Sequence, residues 1–110
     1  MAQVLLSEPH HDVRGLFEHM LRRLGHHPIR VRDATVGVIT DCDLLLVEPL
    51  AQEGAAVAML ARMLRPAIPI VAATIAPEGY DHGVDVDAHL VKPFTLDQLG
   101  ATIDSLLVSY

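Results

Sequence analysis

The stretch Asp43-Leu44-Leu45-Leu46-Val47-Glu48-Pro49 constrains the fold more than any other part of the chain. Four consecutive aliphatic residues, closed by an acid and a proline, are too few for a buried helix and suit a parallel strand covered on both faces. That strand ends in a carboxylate. In open α/β sheets, sites lie outside the carboxyl ends of the strands, beside the point where strand order reverses, so Glu48 is a candidate by position alone. The competing reading is a solvated charge at the end of a strand.

The rest of the chain repeats the pattern. Val4-Leu5-Leu6 is a first short strand, running into Ser7-Glu8-Pro9. Val13, Leu16, Phe17, Met20, Leu21 and Leu24 then follow the spacing of an amphipathic helix, with Gly25 placed to end it in a left-handed cap. His26 to Arg32 reads as a half-polar second strand at the sheet edge, where Pro28 is tolerated. A short helix is expected between Asp33 and Asp41, the third strand over Asp43–Val47, and a helix over Gln52–Leu64 before Pro66. Ile68–Ala73, closed by Thr74, forms a fourth strand. Pro77, Gly79 and Gly83 leave room for at most a turn or two of helix between Ala76 and Asp87. His89-Leu90-Val91 is a fifth strand ending at Lys92-Pro93-Phe94, and Thr95-x-x-Gln98 has capping-box spacing for a last helix. Alternating strands and helices predict a single α/β domain over residues 1–110, with a five-stranded parallel sheet and helices on both faces. Glu8, Glu48, Thr74 and Lys92 should then meet at one edge of that sheet, a constellation suited to an oxyanion or a metal.

Charge and cysteine content narrow the possible functions. A net charge of −6 argues against a nucleic-acid grip, which needs a basic face. The single cysteine, Cys42, excludes an internal disulfide and is expected to pack, not react. No apolar run reaches membrane-spanning length and no secretory leader opens the chain, so the expectation is a soluble, cytoplasmic protein. Nor is there a Gly-rich phosphate loop, a serine elbow or a Cys/His pair in motif context, so no enzyme is expected.

Three stretches in order, Asp43–Pro49, Pro69–Thr74 and Leu90–Phe94, give the chain a pattern that resembles the receiver domains of two-component response regulators over essentially its whole length. The resemblance implies a flavodoxin-like (CheY-like) doubly wound sheet of strand order 2-1-3-4-5, taking part in phosphorelay signal transduction. It implies that Glu48 stands at the phosphoacceptor position, Glu8-Pro9 at the acidic pocket, Thr74 at the switch position and Lys92 at the phosphate contact. It also implies a cis bond between Lys92 and Pro93, otherwise a minority state.

The departures fall on the chemistry. The family has aspartate where this chain has Glu48, and a displacement of about 1 Å can cost around a hundredfold where in-line geometry is required. It has a pair of acids where this chain has Glu8-Pro9, and Pro9 offers no side-chain oxygen to magnesium, whose binding is expected to be weak. The switch aromatic is His89, and the separation of Thr74 from Lys92 is about one helical turn short, which shortens the fourth helix. The expectation is an atypical, aspartate-less receiver that acts through a protein partner or effector domain, without phosphotransfer. An alternative from the seven histidines is a metal- or small-ligand-sensing module, with His10 and His11 close to Glu8. A mean hydropathy of +0.34 and an apparent surplus of Leu96, Leu99, Ile103 and Leu107 predict a homodimer through the last helix.

Overall fold

The alternation of strands and helices is realised in the computed structural model of the protein, which describes residues 1–107. In chain order the elements are β1 (Gln3–Ser7), α1 (His11–Arg23), β2 (His27–Arg30), a 3-10 turn (Val31–Asp33), α2 (Val36–Asp41) and β3 (Leu44–Val47). They continue with α3 (Gln52–Leu64), β4 (Ile70–Thr74), β5 (Ala88–Val91) and α4 (Leu96–Leu106). All four strand pairings are parallel, and the order is β2-β1-β3-β4-β5. The order reverses between β1 and β3.

Each buried strand feeds two cores because its side chains alternate faces. Val4, Leu6, Leu44, Leu46, Val71 and Ala73 pack with α1 and α4, while Leu5, Leu45, Val47 and Ile70 pack with α2 and α3. On α1 the inward stripe is Phe17, Met20 and Leu21, whereas Leu16 lies beyond its edge and is exposed. Gly25, at φ 84°, turns the chain out of α1 in the left-handed cap expected. Cys42 is packed in the core, and burial pushes its thiol above the ordinary range.

Two expectations are corrected. The second strand stops at Arg30, because Val31–Asp33 coils into the 3-10 turn. The shortening of the helix between β4 and β5 goes to completion: residues 75–87 form none. Pro77 there lacks an amide donor, and Gly79 and Gly83 sit at φ 88° and 76°, outside helical space. On α4, Leu99 and Ile103 are fully buried, and Leu96, Leu106 and Leu107 pack against the same core. These leucines therefore contribute to the domain's own core. The capping box of Thr95 and Gln98 opens α4 as the spacing indicates, with both reciprocal bonds formed.

Candidate functional site

Register brings the two acids level. Leu6 pairs with Leu46 and Ser7 with Val47, and the Glu48 N–H donates to the Ser7 carbonyl at 3.0 Å, so Glu8 and Glu48 leave adjacent strands side by side. Lys92 arrives from the far side of β4, its backbone N–H bonded to the Thr74 carbonyl at 2.8 Å. The Lys92–Pro93 bond is cis, as the resemblance implies.

The Lys92 ammonium donates to Glu8 Oε1 and, at 3.2 Å, to Glu48 Oε1. All three groups are largely withdrawn from solvent, the side chains of Glu8, Glu48 and Lys92 being 1%, 9% and 13% exposed. The remaining oxygens are also engaged. Glu8 Oε2 accepts from the His10 backbone N–H at 3.0 Å and lies 3.1 Å from His10 Nδ1, while Glu48 Oε2 accepts from the Leu50 N–H at 3.2 Å. Phe17 lies beneath the ammonium, its ring centre 5.7 Å from Nζ, and is backed by Phe94 at 4.9 Å. Two carboxylates thus share one cation, and the cluster keeps a net charge of −1.

Burial alone would raise the Glu8 carboxyl, but the hydrogen bonds from Lys92 and His10 and the nearby positive charge outweigh it and hold Glu8 below the ordinary carboxylate range. Glu18, on α1, is lowered too, first by the bidentate Arg30 guanidinium at 2.7 and 2.9 Å. A depressed carboxylate contributes stability above the unfolded-state pKa of about 4.3 and loses it as pH falls through the folded value. The urea midpoint should therefore drop on acidification below about pH 4, and Glu8→Gln should flatten that dependence. A midpoint unchanged between pH 7 and pH 3 would contradict the assignment.

Of the residues singled out from sequence, Glu8, Glu48 and Lys92 meet, and Thr74 does not join them. Its hydroxyl, buried at the end of β4, accepts from the Ala76 N–H at 3.3 Å. His89 also turns to Ala76, Nε2 lying 2.9 Å from that carbonyl, with the ring stacked 6.0 Å from His82. Thr74 and His89 are thus joined through one residue's backbone and not through each other. His10 reaches Glu8, yet among the described residues no group of three metal-ligating side chains gathers. Pro9 is exposed and carries no side-chain oxygen or nitrogen to offer the cluster.

Two contributors were not singled out beforehand. Phe17 looked like an ordinary core position, and nothing local marks it as the floor of a charged site. Gly54 had a readable signal, a glycine in the first turn of a helix that follows Glu48-Pro49-Leu50. A Cβ there would lie 2.1 Å from the Glu48 carbonyl oxygen, so α3 can pass under the site only with glycine at this position. Gly54→Ala should cost about 1–3 kcal/mol by overpacking and displace Glu48. Urea unfolding and the Lys92 side-chain resonances would report both effects, and an unperturbed variant would remove Gly54 from the site.

Neither a protein-family model nor a curated protein matches the sequence. Solved structures do match the fold. The receiver domain of a sensor histidine kinase from Pseudomonas aeruginosa PAO1, which holds magnesium in its active-site cleft, agrees with a TM-score of 0.82 at 22% identity, over 98% of each chain. The fold is that of a receiver domain. TrrA, a response regulator protein of Thermotoga maritima in complex with magnesium and beryllium fluoride, gives 0.81 at 20% identity, over 97% of this chain and 100% of its own. Chemotaxis protein CheY4 of Vibrio cholerae gives 0.78 at 23%, over 97% and 99%. In this receiver fold the acid–lysine cluster sits at the carboxyl ends of the strands, beside the reversal of strand order. No described helix is long and apolar enough to cross a membrane.

Proposed function

We propose that the chain is an atypical receiver module of two-component signalling, with Glu48 at the phosphoacceptor position, which acts through protein contacts and is not phosphorylated. The observation that carries this reading is the ammonium of Lys92 held between Glu8 and Glu48. The group that would greet an incoming phosphoryl is already neutralised by two resident carboxylates. Glu48 supplies one negative charge where a phosphoaspartate would carry nearly two, and it holds the lysine permanently. The module is then a fixed signalling surface, not an enzyme, and its counterpart is a protein partner or an effector domain. Neither nucleic acid nor membrane is a counterpart for this acidic domain.

Magnesium, present in two of the proteins of like fold, does not fit the residues here. The ion requires near-ideal octahedral oxygen geometry. Every carboxylate oxygen of Glu8 and Glu48 is already engaged by Lys92, His10 or Leu50, and Pro9 replaces what would be a further ligand. Titration with magnesium, followed through the backbone amides of Glu8, Glu48 and Lys92, tests this. No saturable shift is expected up to millimolar ion; saturation in the micromolar range would overturn the reading.

A further inference from the structure

The net charge of −6 conceals a segregation of charge. Five of the seven arginines, Arg14, Arg22, Arg23, Arg30 and Arg32, fall in the stretch from Pro9 to Arg32, where only Asp12 and Glu18 are acidic, so α1 and β2 give the acidic domain one basic flank. The helix dipole accounts for Arg22 and Arg23, in the last turn of α1. It does not account for Arg14, near the start of that helix, where the dipole disfavours a cation, nor for Arg32 beyond the strand. Between α1 and β2, an edge strand, Arg22, Arg30 and Arg32 line a groove of about 400 Å³ together with Pro28 and Ile29. A narrower hollow of about 90 Å³ shares Arg30 and Arg32 and adds Arg14.

Three acids border these hollows. Glu18 is taken up by the bidentate Arg30, Asp33 stands exposed 3.8 Å from Arg32, and Glu53, at the narrow end, accepts from the Ser7 hydroxyl at 2.8 Å. Among the described residues no carboxylate lies within salt-bridge distance of Arg14 or Arg22, and the Arg14 guanidinium donates only to the Glu8 carbonyl, at 3.1 Å. The uncommitted charge on this flank is therefore positive.

We propose that this groove takes an acidic segment of a partner protein, a short extended stretch of closely spaced carboxylates. Length and charge select that occupant. Arg14 and Arg22 lie two turns apart on α1, about 12 Å, which about four extended residues span. A longer uniform polyanion such as nucleic acid would run off the flank onto the rest of the domain, where the other twelve of the fourteen acids lie, and be repelled there. Strand addition to β2 is opposed by Pro28, which has no N–H to offer, so recognition falls to the arginine side chains. The inference rests on the reading of the chain as a module that works by protein contacts, but not on the closed acid–lysine site. The two can fail separately, since magnesium titration reads one and an acidic peptide reads the other.

Fluorescence anisotropy with a labelled peptide of four glutamates between glycine and serine ends should show saturable binding at low salt, weakening several-fold as salt is raised. Arg22→Glu combined with Arg32→Glu, both at exposed positions, should weaken binding by at least about tenfold. Glu53→Gln, which can keep the bond to Ser7, should tighten it, while Glu78→Gln, an equal change of net charge in the segment between β4 and β5, should leave it unchanged. Backbone amide shifts of the natural chain on adding peptide should map to α1 and β2, a readout that needs no variant. No saturation at millimolar peptide, a double variant that binds as the natural chain does, equal effects of Glu53→Gln and Glu78→Gln, shifts confined to other elements, or tighter binding of an oligothymidylate of equal charge would each overturn the proposal.

Discussion

Replacing Lys92 by methionine is expected to destabilise the folded chain by about 3–5 kcal/mol at pH 7, the cost of removing one partner from a buried ion cluster. Methionine keeps most of the volume and the contact with Phe17, so the loss isolates the ammonium. Without it, two withdrawn carboxylates face each other with no cation between them. The sign with pH follows. Without Lys92 the burial that raises the Glu8 carboxyl is less opposed, so Glu8 takes up its proton at higher pH in the variant than in the natural protein and the gap between the two should narrow on acidification. A second substitution, Glu8→Gln, should recover part of the loss at pH 7 by removing one of the stranded charges. Urea unfolding of the three proteins at pH 7 and pH 4 measures this. A loss below about 1 kcal/mol, the range of an exposed pair, would mean that the ammonium does not hold the site together.

Much of the fold was legible because it rests on local signals. The apolar runs at Val4–Leu6, Leu44–Val47 and Ile68–Ala73, each ending at a polar residue, locate the central strands without any tertiary information, although β4 itself begins only at Ile70, after Pro69. The Thr95–Gln98 capping box and Gly25 mark helix ends because their chemistry is confined to a few neighbouring residues. Reading failed where the outcome depends on what packs against a segment. Whether the leucines of α4 are core or surplus is decided by the width of the sheet face they cover, and spacing along the helix does not carry that width. The same holds for α3, whose alanines and methionines read simply as helix formers, although the outer side has no cover.

The site shows the same division. Glu8, Glu48 and Lys92 could be named because strand ends in a parallel sheet converge. That Lys92 would bridge both acids, and that Thr74 would turn to the Ala76 backbone, depends on rotamers set by Phe17, His10 and the 75–87 segment. The partly buried Glu18–Arg30 pair went unnoticed for a related reason: a glutamate on a helix looks solvated until the neighbouring strand presents its arginine.

The second large effect expected is a gain of function. Glu48→Asp alone should restore little phosphorylation, because Glu8 still holds Lys92 and Pro9 still withholds a ligand from the metal that offsets charge in phosphoryl transfer. Pro9→Asp combined with Glu48→Asp should recover measurable magnesium binding and some phosphoryl adduct. The shorter side chain gives up its hold on the ammonium, and the new carboxylate opens an oxygen-rich corner. Failure of the double variant to bind magnesium would indicate that Glu8 and Lys92 remain locked whatever stands at positions 9 and 48.

The central claim is that the natural site is closed to phosphoryl transfer by its own salt bridges. Intact-mass spectrometry of the unmodified protein, incubated with excess acetyl phosphate and magnesium, tests it most directly, with the Pseudomonas aeruginosa receiver domain as a parallel sample. The expected spectrum is that of the unmodified chain alone. A stoichiometric phosphoryl adduct, mapped to Glu48 by fragmentation, would contradict the account.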